Sequence, residues 1–86
     1  MTAVAEFAGY AVSGEARIIR SGAYGGIIHV HATPAGRSCD PPVAIIVPGQ
    51  WKTLEEAGQA ALDYASVMAD DGAMAAAVAL RETVRI

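Results

Sequence analysis

Charge is scarce in this chain. Only 17% of its 86 residues are Asp, Glu, Lys or Arg, against about 25% in ordinary soluble domains. A small protein with so few charges is expected to hide part of its surface against a second copy of itself. Cations are scarcer still, six against nine anions, for a net charge of −3. That balance argues against a nucleic-acid partner, which needs clustered Lys and Arg to neutralise phosphates. Cysteine occurs once, at Cys39. One thiol forms no internal disulfide and fits a reducing cytoplasm. The longest uninterrupted apolar run covers residues 73–80, far short of the roughly 18 a membrane helix needs. The opening residues also lack the basic stretch and apolar core of a secretory signal. The expectation is a cytoplasmic protein with no membrane partner.

What the chain does have is alanine, 19 of its 86 residues. The hydrophobic fraction of 53% therefore overstates how much bulk is available for a core. Arg outnumbers Lys five to one, which with the alanine is the habit of GC-rich bacterial genomes. The length suits one domain, residues 1–86, with little surplus core. Charge is unevenly spread: residues 1–52 carry four basic and three acidic groups, and residues 53–86 carry two and six.

Residues 53–71 predict an amphipathic helix, around which the rest is organised. Thr53 and Glu56 stand in the S/T-x-x-E spacing of a capping box, with Glu55 and Glu56 favourably placed in the helix dipole. At 100° per residue Leu54, Ala57, Gly58, Ala61, Leu62, Ala65, Met68 and Ala69 share one side. Glu55, Glu56, Gln59, Asp63, Ser66 and Asp70 share the other. The mostly small inner side allows close approach to a sheet, and Gly72 supplies a left-handed stop. The acidic outer side is expected to face water.

Period-two patterning predicts strands over residues 4–12, 16–20, 27–33 and 43–47. Ser13-Gly14 fits a tight turn between the first two, and residues 21–26 a looser one. The most apolar segment, 43–47, is the expected central strand. Three prolines and a glycine in residues 34–42 argue against regular pairing there. Val78, Leu80, Val84 and Ile86 alternate with Ala79, Arg81, Thr83 and Arg85, with only Glu82 breaking the apolar face, so a closing strand over 78–85 is favoured over a second helix.

Chemistry-bearing patterns are few. Residues 22–26 are glycine-rich but lack the Lys-Ser/Thr of a phosphate loop and join two strands, so a turn is expected. Two histidines at i and i+2, His29 and His31, point the same way from a strand, roughly 6–7 Å apart. They are the candidate metal ligands, with Cys39, Asp40, Glu6 or Glu15 as possible completions. Cys39 beside Asp40 makes a poor nucleophile, because an adjacent acid raises the thiol pKa. Trp51 is expected to pack over the sheet end. No catalytic residues and no cofactor are expected.

Phe7-x-Gly9-Tyr10 in the first strand, and Trp51-x-Thr53-x-Glu55-Glu56-Ala57 at the helix start, resemble small uncharacterised bacterial α+β proteins with a β-meander and one packed helix. The likeness covers residues 4–70, and the chain departs from it in residues 73–86. The resemblance implies the strand-then-helix order and no activity. The resulting expectation is an α+β domain: an antiparallel sheet of four to five strands with one main amphipathic helix on one face. Its expected role is a non-enzymatic interaction or ligand-binding module that self-associates through the sheet, with an unknown protein or small-molecule ligand. The alternative is a metal-binding or hydrolytic site at His29 and His31.

Overall fold

A computed structural model describes residues 4–84, and the side chains as far as residue 81. The chain runs β1 (Val4–Phe7), β2 (Tyr10–Arg20), β3 (Ala23–Ala32), β4 (Ser38–Ile46), α1 (Leu54–Asp71) and α2 (Ala73–Val84). The four strands form one antiparallel sheet in the order β1-β2-β3-β4. Val12, Ile28, Val30 and Val43 of the sheet, with Val47 just after β4, share one core with Ala61, Ala65 and Met68 of α1 and Met74 and Val78 of α2. The fold is α+β, as the patterning predicts.

The first hairpin turns at Ala8-Gly9, both at positive φ (50° and 87°), with Phe7 opposite Tyr10. Two left-handed residues match the twist of the flanking strands. Ser13-Gly14, the expected turn, instead lies inside β2, where Ser13 pairs with His29 and Gly14 with Ile28. Gly14 serves a different purpose. A Cβ there would stand 3.1 Å from the carbonyl oxygen of Gly58 on α1, so its bareness lets the helix come close. The second turn is likewise shorter than predicted, confined to Ser21 and Gly22 between paired Arg20 and Ala23.

β4 is an edge strand, not the central one. Its apolar character comes from a second cover: Val43 and Val47 are buried in the core shared with Met74 and Val78 of α2, while Ala44 and Ile46 on the alternate positions are exposed. The proline-rich segment joins the sheet in part. Ser38 pairs with Ala32 and Val43 with Val30, so only His31 lies between the pairs on β3, against Cys39, Asp40, Pro41 and Pro42 on β4. Proline tolerates such an outward-bowed edge because it has no N–H to leave unpaired. After β4 the chain stays beside β3: Trp51 and Tyr24 exchange two backbone hydrogen bonds of 2.9 Å.

Thr53 caps α1, its Oγ1 accepting from the amide of Glu56 at 3.1 Å. The Glu56 carboxylate accepts from the Thr53 hydroxyl rather than from its amide, so the box is closed through side chains. Ala57, Ala61, Ala65 and Met68 are buried, while Glu55 and Asp63 face outward. Leu54, expected inside, is 50% exposed; it starts the helix beyond the sheet's cover. Gly72 ends α1 at φ 84°. Asp71 then accepts from the amide of Ala73 at 2.9 Å, satisfying one of the free N–H groups at the start of α2, whose first turn closes from the Ala76 amide to the Gly72 carbonyl. The expected closing strand is therefore absent over 78–84, and residue 85 lies outside the described residues. Met74 and Val78, four apart and buried, set the period that the terminal alternation obscured.

Candidate functional site

The helices cover one side of the sheet and leave the other open. Alternation along β2 sends Ser13, Glu15 and Arg17 to it, and alternation along β3 sends Ile27, His29 and His31. Register places Ser13 opposite His29 and Glu15 opposite Ile27. Both imidazoles then lean one pair along, to diagonal partners. His31 Nε2 lies 2.7 Å from Ser13 Oγ, and His29 Nε2 lies 2.6 Å from Glu15 Oε1. Since a carboxylate only accepts, His29 donates in the second bond.

Glu15 is the pivot of this row. Arg17 Nε donates to its other oxygen at 2.8 Å. The Arg17 hydrogen bond first, and the His29 bond second, pull the Glu15 carboxyl down to about 2. The same pairing raises Arg17. The carboxylate thus stays ionised in all but strong acid, its charge balanced within the row.

Val4, Ser13, Glu15, His29, His31 and Pro42 line a hollow of about 470 Å³. Ser13 forms its floor and is only 4% exposed. Next to it lies an apolar hollow of about 390 Å³ among Ile19, Ile27, Ile46 and Pro48. Ile19 reaches it by crossing Gly25, where a Cβ would meet its Cδ1 at 2.9 Å. The exposed ends of Val4, Ile19 and Ile46 frame the polar row with hydrocarbon.

The structure brings His29 and His31 onto one face, as the spacing predicts, and of the four possible completions it places Glu15 against His29. It does not bring Cys39, which packs against the core on the helix side. Glu6 is exposed on β1 opposite Ala11 and does not line the hollow. Asp40 is exposed on the bowed part of β4. Among the described residues no three His, Cys, Asp or Glu side chains are grouped to take a metal ion. Ser13 and Arg17 are members of the row that sequence reasoning missed. Their signal was present, polar residues at 13, 15 and 17 with period two, but it was hidden by treating Ser13-Gly14 as a turn.

Among models of protein families, curated proteins and solved structures, none matches this chain.

Proposed function

We propose that the chain is a non-enzymatic binding module that self-associates by packing the uncovered sheet face against the same face of a second copy. The observation that carries this reading is a charge-balanced polar row set in exposed hydrocarbon, with Ile46 79% and Val4 63% exposed. Such a frame loses free energy to water until it is covered. Strands of nine to eleven residues, at ~3.3 Å per residue and ~4.8 Å apart, make a face of roughly 500 Å². Two copies would bury on the order of 1,000 Å², the lower range for a specific interface. Because the charge of Glu15 is neutralised by Arg17, two such faces meet without like charges opposed. The outer side of α1, with Glu55, Glu56, Asp63 and Asp70, repels a copy of itself. Light scattering across a concentration series tests the reading: a dimer at tens of micromolar, lost in Ile46→Asp, supports it, and a strict monomer at high micromolar removes it.

The residues of the 470 Å³ hollow favour a second reading, a metal-binding or hydrolytic site at His29 and His31. Metal analysis of untagged protein tests it: stoichiometric zinc, lost on His29→Ala/His31→Ala, would replace the first reading. No described helix is long and apolar enough to cross a membrane. With a lone cysteine, a bacterial cytoplasm is the proposed location, and neither nucleic acid nor a membrane is a proposed partner. The likeness to small bacterial meander-and-helix proteins is part of the same proposal.

A further inference from the structure

The chain's scarce cations are not all spent on Glu15. Where β2 turns into β3, Arg20, Ser21 and Gly22 face Gln50, Trp51 and Lys52 across a hollow of about 340 Å³, and no acidic residue lines it. Its two walls are tied together. The Tyr24–Trp51 backbone pair holds the segment after β4 against the start of β3, and the Trp51 ring rests on Gly49, 3.3 Å from where a Cβ would stand. Arg20 spans the walls, donating to Gln50 Oε1 at 3.2 Å. That partner is neutral, so the guanidinium keeps its full charge and most of its five donors. Glu15 holds Arg17 in an ion pair, whereas neither Arg20 nor Lys52 forms one among the described residues. A chain of net charge −3 thus sets two uncompensated cations at one concave place.

We propose that this hollow binds the phosphate group of a small phosphate monoester. Charge selects the class. A monoester carries roughly −1.5 to −2 at neutral pH, matching one guanidinium and one ammonium, whereas a carboxylate's single charge leaves one cation uncompensated. Donor count agrees: the Arg fork, the Lys ammonium and the Ser21 hydroxyl suit an anion with three terminal oxygens better than one with two. Volume leaves room for more than the anion, since a water takes about 30 Å³, and the remaining space lies beside Trp51. Two cations suffice for one phosphate and are too few to track a nucleic-acid backbone. The site lies apart from the residues of the polar row, and it stands or falls independently of self-association.

Trp51 is the only tryptophan, so its fluorescence reports directly on this hollow. The full chain is titrated with phenyl phosphate, inorganic phosphate and benzoate at constant ionic strength. Saturable responses to phenyl phosphate and phosphate, with benzoate at least tenfold weaker, are expected. Arg20→Ala and Lys52→Ala should each weaken phenyl phosphate binding by about tenfold, the usual effect of losing one charge-assisted hydrogen bond. Arg37→Ala, which removes an exposed cation between β3 and β4 that does not line the hollow, should leave it unchanged. Amide shifts of Ser21 and Gly22 in the unmutated protein give a second reading that needs no variant. A linear response, equal binding by the Arg20→Ala/Lys52→Ala protein, benzoate binding as tight as phenyl phosphate, or unmoved Ser21 and Gly22 amides would overturn the proposal.

Discussion

The Cβ that Gly26 lacks would stand 2.8 Å from the carbonyl oxygen of Ala57. A strand and a helix therefore meet here backbone to backbone, and the separation of sheet and α1 is set by this contact. The obstructing atom belongs to the main chain and has no rotamer by which to withdraw. Gly26→Ala should cost about 1–3 kcal/mol, the usual penalty for overfilling a packed site. Gly14→Ala, whose nearest atom is 3.1 Å away, should cost less. Urea midpoints for the two variants check this. A Gly26→Ala protein as stable as its parent would show that the helix lies farther out.

Gly58 presents the opposite case. It lies within α1, and a Cβ there meets nothing within 4 Å. Glycine in a helix interior is worse than alanine by roughly 0.5–1 kcal/mol, through backbone entropy alone. Gly58→Ala should therefore stabilise the protein by about that amount. A loss of stability on thermal unfolding would mean that Gly58, too, is needed for close approach.

These glycines show what was legible in the sequence and what was not. The cap at Thr53, the alanine stripe and the stop at Gly72 are local chemistry, and each is found where its residues stand. His29 and His31 share a face because strand periodicity is also local. Gly14 misled because glycine has two uses, turning a chain and admitting a neighbour, and only the position of α1 distinguishes them. Residues 43–47 misled for a related reason: burial by α2 at an edge leaves the same apolar pattern as burial at the centre. The clearest miss, α2, came in part from Leu80, which is exposed yet supplied one of the four apolar positions of the apparent alternation. In the site, the diagonal bonds from Ser13 to His31 and from Glu15 to His29 depend on the β2–β3 register, which the Ser21-Gly22 turn sets from outside both strands.

If α2 is integral to the core, Met74 is where its removal should be felt most. Its side chain is fully buried within the cluster that joins α2 to Val43 and Val47. Met74→Ala should cost about 2–5 kcal/mol, combining lost transfer energy with a residual cavity. Leu80→Ala, on the exposed side of the same helix, should change stability by no more than about 0.5 kcal/mol. Equal effects at the two positions would contradict the observed burial.

The last prediction concerns acid. Glu15 titrates near 2 when folded, against an ordinary value of 4.5, because Arg17 and His29 both bond to its ionised form. A folded value below the unfolded one means that the unfolded chain takes up the proton first as pH falls. The stabilisation from Glu15 is therefore complete above pH 4.5 and disappears as the pH is lowered from there through 2. Carboxyl carbon shifts followed by NMR should place the Glu15 midpoint well below 4.5. Arg17→Ala, removing the larger of the two hydrogen bonds, should move it back towards 4.5. In parallel, Glu15→Gln should lie below its parent in stability at pH 6 and converge with it near pH 2. Curves that stay separated at pH 2 would show that the carboxylate's charge is not what the row uses.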